Sequence, residues 1–280
     1  MRLSTLLALM LLGWMLPANG QDFIASKQVS DDTPRAVVST ATPRWRAQVM
    51  AFYPHDVWAF SEGLELYQGK LIESTGIPGY SSVRRIRLET GLVTQAIQMG
   101  PQDFGEGLAV AGDRLVQLTY KQQKAFVYDL DSFKQVGQFT YTGEGWGLCF
   151  NGKSFVMSNG SNELTLRDPN TFAVLSTVPV TVDGQPQKQL NELECVGDLV
   201  YANVFGTNSI VEIGRDGIVS KIIDLNDLLS PHEHGCLGLD VKGAHAAAVL
   251  NGIAHDPADG SFLVTGKLWP KIFRVKFVPP

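Results

Sequence analysis

The chain has no lysine- and arginine-rich run. Across 280 residues, 23 basic and 28 acidic side chains leave a net charge of −5, with no basic stripe. That argues against a nucleic-acid partner, because such proteins gather Lys and Arg on one face. Charged residues of all kinds make up only 18%, and hydrophobic ones 44%, which sets the chain apart from disordered tails and gives it material for a core. Long apolar runs are missing too. The longest, Leu6 to Leu16, has about 11 residues where roughly 20 would span a bilayer. Cysteine is scarce: Cys149, Cys195 and Cys236, an odd number, leave at least one thiol free. The apolar flanks LCF and ECV lead us to expect buried, unreactive thiols at Cys149 and Cys195, and no cysteine is given a catalytic role. The chain also lacks a nucleophile elbow, a Gly-rich phosphate loop and a His-Glu-x-x-His zinc motif. His232-Glu233-His234 reads as part of a loop and is not assigned a metal.

What is present begins with an address. Met1-Arg2, the apolar run and the small residues Ala18-Asn19-Gly20 have the order of a signal peptide, 1–20, cleaved after Gly20. Gln21 stands where a lipoprotein would need Cys, so the expected product is periplasmic or secreted and off the membrane after cleavage. Residues 21–43 are polar and without period, a flexible leader, and 44–280 form one domain.

Glycine, at 28 residues, is above the average of roughly 7% and is scattered between short β-branched runs. A recurring phrase accounts for it: EGLELYQGKLIEST from Glu62, EGLAVAGDRLVQLT from Glu106, EGWGLCFNGKSFVMSN from Glu144, NELECVGDLVYANV from Asn191 and NGIAHDPADGSFLVTG from Asn251. A second hairpin-like stretch follows each phrase, with turn steps at Thr90-Gly91 and Asp216-Gly217. Starting positions separated by 44, 38, 47 and 60 residues fit four-stranded propeller blades of roughly 40–50 residues, the last gap holding an insertion at 230–248 with His232, His234, Cys236 and His245. The fifth unit stops one strand short, and Trp45 to Tyr53 form a strand with no unit of its own. We therefore expect an all-β, five-bladed propeller closed by pairing this N-terminal strand with the last blade, which also hides two sheet edges.

In a propeller the residues just before the inner strands converge near the axis. Those are Glu62, Glu106, Glu144, Asn191 and Asn251. Three readings stay open. Crowded carboxylates raise at least one carboxyl pKa and suit acid/base work; polar residues there staple the ring by bonding the neighbouring backbone; or the oxygens hold a structural cation. Aromatic residues surround the ring: Phe60, Phe104, Tyr120, Trp146, Phe205 and Trp269. Both tryptophans are expected on rim loops, lining a pocket for a small, partly apolar ligand.

YPHD (53–56), LIESTGIPGYSSVR (71–84), FGEG (104–107), QLTY (117–120), EGWGL (144–148), LNELE (190–194), ANVF (202–205), VLNGIAHD (249–256) and VTGKLWP (264–270) together resemble the plant-type glutaminyl-peptide cyclotransferases, also found in bacteria. The likeness runs from Tyr53 to Phe277. It implies a five-bladed propeller that converts N-terminal glutaminyl residues of peptides or proteins to pyroglutamyl with release of ammonia and without a catalytic metal; we expect a monomer with no cofactor. By motif, Glu106 is the acid/base, with Asn191 and Lys267 holding the γ-amide and offsetting charge on the carbonyl oxygen. Phe60, Glu62, Phe104, Tyr120, Glu144, Trp146, Phe205, Asn251 and Trp269 are the expected substrate-binding residues. Glu62 stands where the family usually has Gln and offers a carboxylate for a salt bridge to the substrate's α-ammonium; Tyr120 and Phe205 replace the usual Trp. The other readings are a non-catalytic propeller that binds a peptide end or partner, and a metal-dependent hydrolase.

Cleavage after Gly20 exposes Gln21, itself a glutaminyl N-terminus. Intact mass of secreted protein should then show the loss of one ammonia; an unmodified Gln21 terminus contradicts this.

Overall fold

The structure, a computed structural model, describes residues 41–237 and 248–280. The expected signal peptide, nearly all of the leader and His245 lie outside the described residues. What is described is all-β, apart from one six-residue helix.

Strand β1 (Arg44–Pro54) comes first. Then β2 (Ser61–Tyr67), β3 (Lys70–Thr75), β4 (Ser82–Arg87) and β5 (Leu92–Gln98) form an antiparallel four-stranded sheet. The next sheet has β6 (Gly105–Ala111), β7 (Arg114–Thr119), β8 (Lys124–Asp129) and β9 (Gln135–Thr140), and the third β10 (Leu148–Phe150), β11 (Phe155–Met157), β12 (Glu163–Arg167) and β13 (Val174–Pro179). A small hairpin, β14 (Thr181–Val182) and β15 (Gln185–Pro186), precedes β16 (Leu190–Val196), β17 (Leu199–Val204), β18 (Ser209–Ile213) and β19 (Val219–Asp224). Helix α1 (Pro231–Cys236) leads on to β20 (Leu250–Asp256), β21 (Ser261–Gly266) and β22 (Lys271–Val278). As the turn steps suggested, Gly91 and Gly217 adopt positive φ, +68° and +78°, between β4 and β5 and between β18 and β19.

Burial is graded within a sheet. All seven residues of β6 are buried, whereas β5 and β9 alternate between exposed and half-buried. The first strands are thus interior, which is why their sequences are nearly continuous apolar and small residues. They pack side by side in the cyclic order β2, β6, β10, β16, β20 and back to β2. Glycine makes this approach feasible: a Cβ on Gly63 would lie 2.8 Å from the Leu108 nitrogen, and one on Gly107 2.5 Å from the Leu148 nitrogen. Glu192 takes the corresponding place in β16. Its carboxylate crosses the axis to accept the N–H groups of Leu64 (3.2 Å) and Ile253 (2.7 Å).

Strand β1 runs antiparallel to β22, from Arg46 opposite Val278 to Pro54 opposite Lys271, as expected from the incomplete last unit. It also pairs in parallel with β19 through Arg44 to Arg46, a second clasp the sequence did not announce. The outcome is one eight-stranded sheet, β16-β17-β18-β19-β1-β22-β21-β20. Where β1 ends, His55 offers its ring nitrogens to the Trp269 carbonyl (2.8 Å) and to Glu73 (2.9 Å), and Arg84 joins Glu73 (2.7 Å) to Asp56 (2.8 Å). Burial pushes the Glu73 carboxyl up, but the neighbouring His55 and Arg84 charges outweigh it and hold it down to about 2.

The cysteine expectation is overturned. Cys149 and Cys195 are bonded to each other, their Cα atoms 5.5 Å apart on the adjacent strands β10 and β16, and only Cys236 is free. Their apolar flanks reflect the burial of inner strands, not an isolated thiol. The expected loop at His232 is instead α1, capped by Ser230 and Glu233. Two residues on a helix turn through about 200°, so His232 and His234 do not share a face. Because the disulfide closes a loop of 46 residues, the Cys149→Ser/Cys195→Ser double variant should unfold with about 2–4 kcal/mol less stability in denaturant titration. Reductant should destabilise the parent and leave the variant unchanged.

Candidate active site

Antiparallel hairpins return to the end at which they start. The starts of β2, β6, β16 and β20 carry Glu62, Glu106, Asn191 and Asn251, and the far ends of β7, β17 and β21 lead into Tyr120, Phe205 and Lys267. Phe60 and Phe104 precede β2 and β6. All nine residues therefore gather at one end of the ring.

Two of the expected positions need correction. The contacts around the axis align Gly63, Gly107 and Gly147 as successive neighbours, so the residue equivalent to Glu62 and Glu106 in the third sheet is Trp146. The repeated letters EG shifted that phrase by two, and Glu144 sits half-exposed on the rim, held by the Trp146 indole N–H (3.1 Å) and Lys121 (3.3 Å). Trp269 is not on the rim. It is 1% exposed, packs in the cluster of Phe273, Leu250 and Leu268, and donates its indole N–H to the Ala248 carbonyl (3.3 Å). The remaining aromatics are all half-buried and form a wall in two groups. Trp146 meets Phe205 edge-on at 5.6 Å, Phe60 meets Phe104 at 6.2 Å, and Phe104 meets Tyr120 at 5.8 Å. Lys267 joins the two groups, its ammonium 4.7 Å from the Phe60 ring centre and 5.5 Å from that of Phe205.

At the base of this wall lies a buried charge cluster. Lys267 Nζ is 2.6 Å from both oxygens of Glu62, and Asn251 Nδ2 donates to Glu62 Oε2 at 3.1 Å and to the Ser61 carbonyl at 3.0 Å. Glu62 therefore does not stand free to meet a substrate ammonium: both its oxygens are engaged. The charge of Glu62 bears on the Glu106 carboxyl. Burial, then the charge of Glu62, pushes Glu106 well above the usual carboxylate range. Burial also raises Glu62, against the pull of Lys267. Asn191, 2% exposed, makes no side-chain hydrogen bond among the described residues, while its carbonyl accepts from Ser158 (2.6 Å).

Deeper along the axis the stapling reading holds for residues that the sequence did not single out. Glu192 bonds two neighbouring strands, as described; Glu194 accepts the His255 N–H (2.8 Å) and Asn203 that of Gly252 (2.9 Å). Burial raises Glu192 and Glu194 well above the usual range and Glu65 to about 7. Their signal was a carboxylate at an inward position of an otherwise apolar strand. Among the described residues no group of three or more His, Cys, Asp or Glu is placed to hold a metal ion.

Fold and site together define an all-β ring with aromatic side chains gathered about a buried carboxyl at one end. The family is then shown by comparison: residues 18–277 match the glutamine cyclotransferase family, and the chain belongs to it. It is 40% identical over 233 residues to the glutaminyl-peptide cyclotransferase of Arabidopsis thaliana, covering 82% of this chain and 70% of that one. The crystal structure of Myxococcus xanthus glutaminyl cyclase superposes with a TM-score of 0.78 at 35% identity, over 85% of this chain and 99% of that one.

The two tryptophans provide a test of the site's limits. Trp269→Ala should cost about 3–5 kcal/mol of unfolding free energy, and Trp146→Ala distinctly less. Equal losses would return Trp146 to the core.

Proposed function

We propose that the protein is a glutaminyl-peptide cyclotransferase built as a five-bladed propeller, the eight-stranded sheet being its last two blades clasped by β1. The cyclic order of the five inner strands supports the blade count, and family membership supports the activity. The observation that carries the mechanism is the buried Glu106, its carboxyl pushed well up, at the same end of the ring as the unpaired amide of Asn191 and the half-buried aromatics.

In this reading an N-terminal glutaminyl residue enters with its side chain folded back towards its own α-amine. The aromatic wall holds that folded geometry, which is mainly an orientation problem. The amine nitrogen bonds to the γ-carbonyl carbon, and the bond from that carbon to the amide nitrogen breaks. Glu106 gives its proton to the departing nitrogen and takes back the one shed by the amine, so the carboxyl ends as it began and ammonia leaves. The Asn191 amide pairs with the γ-amide, and Lys267 offsets charge growing on the carbonyl oxygen. The Cys149–Cys195 disulfide supports a place of action outside the reducing cytosol, in the periplasm or medium.

Purified protein should release ammonia from a peptide beginning with Gln and none from the same peptide beginning with Asn. Glu106→Gln should lower kcat roughly 10²–10⁴-fold, whereas binding without ammonia release would favour a non-catalytic peptide-end binder.

A further inference from the structure

A pocket of about 410 Å³ lies between the second and third sheets, its lining running from Thr142 and Glu144 on the rim to Arg167 in β12 and including neither Glu106 nor Lys267. Arg167 is only 7% exposed, and no carboxylate pairs with it among the described residues. Its Nε donates to the Met157 sulfur (3.1 Å) and Nη1 to the Phe172 carbonyl (3.0 Å), and the guanidinium lies over the Phe172 and Tyr141 rings at 4.9 and 5.5 Å. All of these partners are neutral. Arg84, buried to a similar degree at 8%, faces Glu73 and Asp56 instead. A cation withdrawn from water needs an anion to offset the lost hydration. Arg167 Nη2 has no partner among the described residues and yet is not sealed off, as Arg84 Nη2 is. It stands open to a group that enters the pocket.

We propose that this pocket is a subsite for a carboxylate carried by the peptide substrate beyond its N-terminal residue, with Arg167 as the cation that meets it. This rests on the mouth being a peptide-cyclising site, as argued above. Two shared residues make the pocket adjoin that mouth. Glu144 lines the pocket and accepts from the Trp146 indole (3.1 Å), and Ser158 lines it and donates to the Asn191 carbonyl (2.6 Å). The residues that follow the glutaminyl residue must leave over the rim, where the pocket begins. The acidic groups nearby do not supply the missing anion. Asp168 accepts the N–H groups of Asn170 (2.9 Å) and Thr171 (2.8 Å) in its own turn, and Lys121 offsets Glu144 at 3.3 Å, so the charge of Arg167 stays unmatched. Thr140, Thr165 and Thr177 add hydroxyls along the lining, and a guanidinium with hydroxyl donors suits a carboxylate better than an apolar side chain.

Glutaminyl peptides with an amidated C-terminus, differing only in Glu against Gln at the second, third or fourth residue, provide the experiment. At one or more of these places Glu should lower KM about tenfold with kcat changing little, and the advantage should shrink as salt is raised. Arg167→Met, which keeps an apolar stem against Phe172 and Tyr141 but removes the charge, should bring the acidic-to-neutral ratio of kcat/KM close to one, and Thr165→Val should reduce it. A folded Arg167→Met that keeps the preference overturns the proposal, and so does a parent with no preference, whether or not the variants fold. Calorimetry with the same peptides carrying pyroglutamate in place of the first Gln reads binding without turnover. The acidic peptide should bind the parent about tenfold more tightly, and acetate at fixed ionic strength should compete with it and not with the neutral one. If acetate raises Tm while the parent binds both peptides equally, the pocket takes a free small anion and the proposal falls. If no glutaminyl peptide releases ammonia yet the acidic one binds more tightly, the cyclase reading fails and the subsite stands.

Discussion

Five interior strands must approach one axis closely enough to bond across it, and the last must meet the first. This constraint explains features that look unrelated in the chain. It removes the side chain at Gly63, Gly107 and Gly147, where a Cβ would strike the neighbouring strand's backbone. It places a long carboxylate, Glu192, where the ring still has a gap, so that one side chain bonds both the first and the last inner strands. It also accounts for β1, which covers the free edges of β22 and β19 together.

The same crowding determines the electrostatics. Glu62, Glu65, Glu106, Glu192 and Glu194 are all withdrawn from water, and Lys267 is the ammonium bonded among them. Burying so many unpaired anions would be prohibitive. Backbone N–H groups oppose this along the axis, but burial outweighs them and pushes all five carboxyls up, towards the neutral form. At the mouth the result is a carboxyl pushed well above the usual carboxylate range by burial and by the charge of Glu62, at the same end of the ring as the half-buried aromatics. The packing that draws the inner strands together thereby also buries the carboxyl suited to proton transfer.

The repeat made the sheets, their turns and the β1–β22 pairing readable, because strand periodicity and turn residues are local signals that five copies reinforce. The mouth was readable in part. Glu62, Glu106, Asn191 and Asn251 follow from their offset to each inner strand, but Glu144 was misplaced because the phrase's one Glu-Gly pair, Glu144-Gly145, lies two residues ahead of the true axial pair Trp146-Gly147. Trp269 was misjudged because a Gly-bounded turn says nothing about which way an indole points; its ring lies over Gly266 and into the core. Long-range partnerships left no local trace: the disulfide, the β1–β19 clasp, the His55–Glu73–Arg84 network and the capture of Lys267 by Glu62 depend on residues that only the fold brings together.

Partners in the β1–β22 ladder are separated in sequence by 217 residues (Pro54 to Lys271) to 232 (Arg46 to Val278). The chain-entropy cost of such a closure falls due before its contacts reward it, so the ring belongs to the slow, high-contact-order class of folders. Four sheets can form locally from adjacent hairpins, but none can complete its inner packing until that distant ladder zips. The mouth draws residues from both sides of the seam: Glu62 follows the first clasping strand and Lys267 precedes the second. Their ion pair can therefore exist only in a molecule that has finished closing, and acid, ammonium and aromatic wall come together in the same event that seals the ring.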